Sequence, residues 1–217
     1  MLKVVVFDSG FGGELLADYL EEELPLVEVI RVIDWRNAST ILTSPKQARK
    51  AAETALRPYV DHVDLIIFAN YLISITSLKY FRQKYKSQKF AGFRLKNEQI
   101  IYNKPTVIFT TKAVSRTINF FKFAHSIKAK IITLDDWPNL IDDGELTIDK
   151  IKSDLKDILA YPKNSLQIIL ACGQFVDIKS DLKTLLGHNT KFIDPFDDTL
   201  RQTCLTLKIR GSLKKKK

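Results

Sequence analysis

Few side chains in this sequence combine reactive chemistry with a position after an apolar run. Asp8 and Ser9 come directly after "LKVVVF", and Cys172 follows "SLQIILA". A carboxylate or a thiol in such a place could move a proton, and glycines after Ser9 would let backbone N–H groups approach an anion. The thiol of Cys172 could be activated by a helix N-terminus, or it could be an inert buried group.

The apolar runs alternate with helical patterns along the whole chain, which predicts an α/β fold with parallel strands covered on both faces. One helix is predicted over "SPKQARKAAETALRPYV", with Ser44 as its N-cap and Pro45 at its first position. Ligands of such folds bind beyond the carboxyl ends of the strands. The candidate positions are therefore Asp8-Ser9-Gly10, Asp34, Ala69-Asn70, Thr110-Thr111, Asp135-Asp136, Cys172-Gly173-Gln174 and Asp194.

Two segments of the sequence are weakly similar to each other. "LIIFANYLISITSL" and "IILACGQFVDIKSDL" share a strand, a small residue, a polar turn and a helical pattern. The similarity predicts two pseudo-symmetric α/β domains, each placing one turn at a shared cleft. We predict that residues 1–93 and 190–217 form the first domain, and residues 94–189 the second.

Composition narrows the class of protein. The chain has 217 residues, 45% of them apolar, and its apolar runs are too short to span a membrane. Two cysteines give no disulfide framework, which favours a reducing cytoplasm. The three histidines lack metal-ligand spacing, and no nucleotide fingerprint occurs, so we expect neither a metal nor a cofactor.

The net charge of +9 raises the question of a polyanionic partner. The segment from Lys79 to Lys96 contains seven Lys or Arg and five aromatic residues, without an acid. It could be a nucleic-acid surface, or the solvated face of a helix followed by a strand whose aromatic residues are core. Because no recognised binding module accompanies it, we expect only weak, nonspecific binding that disappears as salt rises. The "LKKKK" tail adds to the charge.

The motifs resemble those of glutamate racemase and the wider aspartate/glutamate racemase superfamily. "VVVFDSGFGG" resembles the family's opening "VFDSGxGG", and "LACGQFVDI" resembles its second cysteine motif, "LGCTHYPLL". "TVIFTTKAVS", "LIDDG" and "KFIDP" match further family segments in the same order over nearly the whole chain.

The resemblance implies a cofactor-independent reaction in a cleft between the two domains. In the family, one thiolate removes the α-proton of an amino acid and a second thiol returns a proton from the opposite face, which supplies D-glutamate for peptidoglycan. It implies catalytic roles for Cys172 and Asp8. It also implies that Ser9, Asn70, Thr110, Thr111, Gly173 and Gln174 bind a small acidic molecule, an amino acid or dicarboxylate.

The first cysteine motif of the family, "xACNTASAxAL", corresponds to "IIFANYLISITSL". One register places Ala69 at the cysteine and the other places Asn70 there, and neither residue carries a thiol. Other segments depart too: the substrate loop after Asp34 has no "PYG", and Gly173-Gln174 replaces the family's Thr-His.

Three interpretations follow. The chain could have the racemase fold without two-base racemisation and still bind a small anion. It could be a one-thiol enzyme that resembles arylmalonate decarboxylase and uses Cys172. Or it could be a basic interaction or nucleic-acid-binding protein on a racemase fold. A homodimer is compatible with each of the three.

Overall fold

A computed structural model describes residues 1–37, 44–96 and 98–209. Ser39-Thr40-Ile41, in the loop after Asp34 that the resemblance matches to the family's substrate loop, and the "LKKKK" tail lie outside this range. The strands are β1 (Leu2–Asp8), β2 (Val27–Ile33), β3 (Leu65–Phe68), β4 (Phe90–Gly92), β5 (Thr106–Thr110), β6 (Lys130–Thr133), β7 (Gln167–Ala171) and β8 (Lys191–Ile193). The α-helices, numbered in chain order, are α1 (Phe11–Glu23), α2 (Pro45–Leu56), α3 (Tyr71–Lys84), α4 (Lys112–Ser115), α5 (Ile118–Ser126), α6 (Trp137–Asp142), α7 (Ile148–Asp154), α8 (Lys156–Leu159), α9 (Lys179–Leu186) and α10 (Pro195–Leu207). Two 3-10 turns span Trp35–Asn37 and Gln174–Val176.

These elements form two compact units. Unit 1 comprises Met1–Arg94 and Pro195–Lys217, and unit 2 comprises Leu95–Asp194. Each unit holds a four-stranded sheet, in the order β2-β1-β3-β4 or β6-β5-β7-β8, and every strand pairing is parallel. The predicted α/β class with two parallel sheets is confirmed, and the identical strand order explains the internal similarity of the sequence.

The sheet of unit 1 has an apolar core on each face because its strands are apolar on both sides. One core cluster joins Phe7 and Phe68 to α2 through Ala48 and to α3 through Phe81. Helices α1 and α10 contact each other, and α10 also contacts β3 and β4. Strand residues alternate in direction, so Asp8 points to the opposite face of the sheet from Phe7.

The core of unit 2 forms around its central strands β5 and β7. Phe109 from β5 contacts the ring of Trp137, and Trp137 in turn contacts Phe175, which follows β7. All three rings are fully buried. Cys172, directly after β7, belongs to the same core cluster as these rings and is therefore held by packing on one side.

The sequence predicts the strands better than the helix lengths. Ser44 caps α2 and Pro45 begins it, as predicted. The segment "AVSRTINFFKFA" has a helical pattern in the sequence, but the structure divides it between α4 and α5. The Thr117 hydroxyl donates to the Val114 carbonyl at 2.9 Å and thereby competes with the helical hydrogen-bond pattern. The amphipathic segment "TIDKIKSDLKDILAY" is divided between α7 and α8, at the fully buried Leu155.

Candidate functional site

The carboxylate of Asp8 is the centre of a buried polar group at the carboxyl end of the unit 1 sheet. Asp8 is the last residue of β1 and is 2% exposed. Its Oδ1 accepts a hydrogen bond from the backbone N–H of Ser9 at 2.7 Å and another from Asn70 Nδ2 at 3.1 Å. The two N–H donors offset part of the cost of burying this carboxylate.

Gly13 lets helix α1 lie directly against this carboxylate. A Cβ atom at position 13 would come within 2.5 Å of Asp8 Cβ and 2.7 Å of Ile33 Cδ1, closer than atoms can pack. The first turn of α1, which begins after Gly10, is therefore brought beside Asp8. The amino end of a helix carries a partial positive charge, which favours an anion nearby.

Asn70 links the end of β3 to the same carboxylate. It is the N-cap of α3, with Oδ1 accepting from the backbone N–H of Ile73 at 3.1 Å while Nδ2 donates to Asp8. The two contacts require opposite ends of the amide, so they fix its orientation. Ala69, the other position that the resemblance matches to a cysteine, is 1% exposed and carries only a methyl group.

We predict that Asn70→Ala destabilises unit 1 more than the loss of an ordinary helix cap does. The substitution removes the side-chain cap of α3 and a hydrogen-bond donor to a buried carboxylate. Together these losses should lower the free energy of unfolding by about 2–3 kcal/mol. A suitable control is Thr147→Ala, since Thr147 caps α7 at an exposed site and only accepts from the Lys150 N–H. Urea unfolding measures both variants, and an equal loss of free energy of unfolding in the two would contradict the role of Asn70 at Asp8.

Unit 2 places a single thiol at the end of its central strand β7. Cys172 follows Ala171 directly and is 9% exposed. Its Sγ donates to Gln174 Oε1 at 3.0 Å. A glutamine carbonyl can hold a thiol in place, but unlike a histidine it cannot take up the proton at neutral pH. This hydrogen bond therefore pairs the thiol with an amide rather than with a base.

The neighbouring strand β5 ends in two threonines. Thr110 is fully buried, and its hydroxyl donates to the Ala171 carbonyl at 3.5 Å, which ties the end of β5 to the residue before Cys172. Thr111 is also buried and precedes the short helix α4. Asp135 Oδ1 accepts from the Lys112 N–H at 2.6 Å. Within unit 2, the sequence-predicted residues Thr110, Thr111, Cys172, Gly173 and Gln174 thus come from two adjacent strand ends.

One further charged pair lies at a strand end of unit 2. Lys179, at the start of α9, donates to the carboxylate of Asp194, which follows β8. The Asp194 side chain is only 7% exposed, so its negative charge is largely compensated by Lys179. Strand position indicated Asp194 from the sequence, but nothing in the sequence indicated its partner.

The aromatic residues of the basic segment are mainly core residues. Phe81, Phe90 and Phe93 are buried, whereas Lys79 and Lys86 are exposed. This favours a solvated basic helix face followed by a core strand over a surface on which bases stack.

Two properties of the described residues bear on function. Over residues 1–37, 44–96 and 98–209, no three His, Cys, Asp or Glu side chains come together in a way that could hold a metal ion. Within the same ranges, every helix is too short or too polar to cross a bilayer.

The chain is similar in sequence and in structure to known glutamate racemases. No protein-family model matches the chain. A glutamate racemase from Aliivibrio fischeri is 23% identical over 206 residues, covering 88% of this chain and 76% of that protein. The crystal structure of Escherichia coli glutamate racemase in complex with L-glutamate and the activator UDP-MurNAc-ala aligns with a TM-score of 0.83 at 18% identity, covering 98% and 84% of the two chains. Glutamate racemase from Francisella tularensis in complex with D-glutamate gives 0.73 at 21% identity, with 98% and 84% covered.

The chain therefore has the fold of the glutamate racemases, with two α/β units of identical strand order. The structural likeness agrees with the resemblance in sequence motifs.

Proposed function

We propose that this chain is a divergent member of the aspartate/glutamate racemase superfamily that binds a small acidic molecule and has lost two-base racemisation. One observation carries the proposal. Asn70, at the turn that the resemblance matches to the first cysteine, caps α3 and holds Asp8, and neither it nor Ala69 offers a thiol. The turn thus has hydrogen-bonding groups that could position a ligand, but neither Ala69 nor Asn70 can take up or release a proton there.

The groups around Asp8 favour an amino acid over a simple anion as the ligand. The Asp8 carboxylate would repel an isolated carboxylate but would accept hydrogen bonds from an α-ammonium group. The first turn of α1, beside Asp8, favours the negative charge of the ligand. Both charges of a zwitterion are thus complemented, with Ser9 and Asn70 fixing the position of Asp8. The E. coli and F. tularensis racemases were each solved with glutamate, which agrees with a ligand of this class.

We propose that unit 2 has ligand-binding residues of its own. The Cys172 thiol is the group with acid–base chemistry, and Thr110, Thr111, Gly173 and Gln174 bind around it. Cys172 and Gln174 are 9% and 7% exposed. In such surroundings polar groups interact strongly with a ligand because little water competes.

Asp8→Asn tests the binding part of this proposal. Replacing the charged acceptor should weaken the binding of glutamate or aspartate about 10- to 100-fold, the effect of losing a hydrogen bond to a charged group. Asp64→Asn is the matched control, since Asp64 precedes β3 at the amino end of the same sheet and accepts a hydrogen bond from the Lys3 N–H at an exposed position. Titration calorimetry with both enantiomers is the measurement. No binding by the unmodified protein at millimolar ligand, or equal weakening by both variants, would contradict the proposal.

A one-thiol activity is the second candidate, and the Cys172–Gln174 hydrogen bond favours it. A thiol that keeps its proton can deliver it to a carbanion from one face without a second base. Such an enzyme would act on a substrate that generates the carbanion by another route, for example by decarboxylation. It would differ from the first candidate in that Cys172→Ala abolishes turnover but leaves ligand binding unchanged.

A further inference from the structure

The charges of unit 1 are divided between the two faces of its sheet. Helix α1 carries five acidic residues and no Lys or Arg. Helices α2 and α3, which cover the other face, together carry six Lys or Arg and a single acid, Glu53. Two further lysines, Lys86 and Lys89, follow α3.

The two faces also differ in how their charges are compensated. On the α1 side, Arg31 from β2 binds the carboxylates of Glu14, Asp18 and Glu21 at 2.5–3.0 Å. On the other side, Glu53 is already engaged by Lys84 at 2.6 Å and by the Tyr80 hydroxyl at 2.8 Å.

Several cations of the α2–α3 face are left without an acidic partner. No ion pair with another described residue is formed by a set of seven: Lys46, Lys50, Arg57, Lys79, Arg82, Lys86 and Lys89. All seven are exposed. Like charges gathered in this way repel one another, and an external polyanion would relieve that repulsion.

The cations lie in rows that follow the helices. Lys46, Lys50 and Arg57 are spaced four and seven residues apart, which places them on one stripe of α2 and its C-cap. The stripe extends about 16 Å along the helix axis, comparable to about five base pairs of a duplex. Lys79 and Arg82 form a second stripe on α3, which packs against α2.

Arg82 is the most constrained of these cations. Its Nε and Nη2 both donate to the Phe90 carbonyl, at 3.1 and 2.7 Å, so the guanidinium is fixed without a negative charge to neutralise it. Burial, and then the positive charge of Arg94, hold the pKa of Arg82 below its usual range. An anion bound beside Arg82 would favour the charged guanidinium and thereby counteract the effects of burial and of Arg94 on its pKa.

We propose that the outer face of α2 and α3 binds nucleic acid through its phosphate backbone. Within unit 1, this surface lies on the opposite face of the sheet from Asp8, and the inference does not depend on the amino-acid ligand. Tyr80 cannot act as a stacking platform for bases, because Arg49 already covers its ring at 4.5 Å and Lys84 lies 5.6 Å from the ring centre. Binding through phosphates alone is independent of sequence and strongly dependent on salt.

An anionic membrane fits this face less well than nucleic acid does. A helix that lies on a bilayer inserts large apolar side chains between the lipids. The large hydrophobic residues that are exposed in the described part of the chain, such as Trp35 and Phe121, all lie outside α2 and α3. The outer face of α2 and α3 therefore has positive charge but no large exposed apolar side chain that could insert into a bilayer.

The test compares two triple variants of the full chain that change the net charge equally. The first replaces Lys46, Lys50 and Lys79 with Gln. The control replaces Lys122, Lys130 and Lys163 with Gln, three exposed lysines of unit 2 that form no ion pair with another described residue. Fluorescence anisotropy of a labelled 20-base-pair DNA duplex, titrated at 25–200 mM salt, gives the dissociation constant and its salt dependence.

We expect the first variant to weaken binding at 50 mM salt by at least about tenfold and to make the slope of log K against log salt shallower by about 2–3, because three phosphate contacts are lost. The control should stay close to the unmodified protein. Equal effects of the two variants would show a response to net charge and would overturn the proposal. Absence of duplex binding at 25 mM salt, or binding to phosphatidylserine vesicles alone, would overturn it too.

Discussion

The protein is expected to leave each enantiomer of glutamate and aspartate unchanged over hours of incubation. Inversion at an α-carbon needs one group to remove the proton and another to supply one on the opposite face. Each such group contributes about 10²–10⁴-fold to the rate, so the absence of one nearly abolishes the reaction. Ala69 cannot titrate and the Asn70 amide is not a useful base. Next to Cys172, Gln174 stands where the family that the sequence resembles has a proton-carrying histidine.

Chiral chromatography of the incubated amino acids measures this directly, with E. coli glutamate racemase as the positive control. Ala69→Cys and Asn70→Cys should each recover little activity, because the substrate loop around Ser39-Thr40-Ile41 departs from the family sequence as well. Conversion of either enantiomer at a rate comparable to that of the control enzyme would require a second base that the sequence does not reveal.

Phe81→Ala is expected to cause the largest loss of stability. Phe81 is fully buried in unit 1, and its ring lies 4.8 Å from that of Phe68 and 5.6 Å from that of Phe90. Truncating a buried phenylalanine removes its transfer free energy and leaves a cavity, which together lower the free energy of unfolding by about 3–5 kcal/mol. The cluster fixes α3 against β3 and thereby positions the Asn70 turn between them.

Phe121→Ala provides the matched control, because Phe121 on α5 is 58% exposed. Its loss should change the free energy of unfolding by less than about 0.5 kcal/mol. Urea titration followed by circular dichroism gives the midpoints for both variants. A loss below about 1 kcal/mol for Phe81→Ala would mean that the aromatic cluster of unit 1 does not stabilise it in the way the packing indicates.

Periodicity and strand ends were sufficient to predict much of this fold. The apolar runs ending at Asp8 and before Asn70 and Cys172 are buried parallel strands, and Ser44 caps a helix as its sequence context indicates. Such features depend on local sequence and on the burial of both sheet faces, which the residues themselves encode.

Other features depend on tertiary contacts that no local pattern carries. The helix is interrupted at Thr117 because its side chain forms a hydrogen bond with the Val114 carbonyl. The helical periodicity of the sequence continues across this position and therefore does not indicate the interruption. The pairing of Lys179 with Asp194 joins residues fifteen positions apart. The hydrogen bond from Asn70 to Asp8 spans sixty-two positions, so the sequence could indicate both residues without indicating that they touch.

The most direct test of lost two-base racemisation is proton NMR of D- and L-glutamate incubated with the protein in heavy water, with Cys172→Ala as the control. We predict that deuterium never enters the inverted enantiomer. Any exchange is confined to one enantiomer, proceeds with retention and disappears in Cys172→Ala. Deuterium in the α-position of the opposite enantiomer, accumulating with loss of optical rotation, would show that protons are delivered from both faces and would contradict the account.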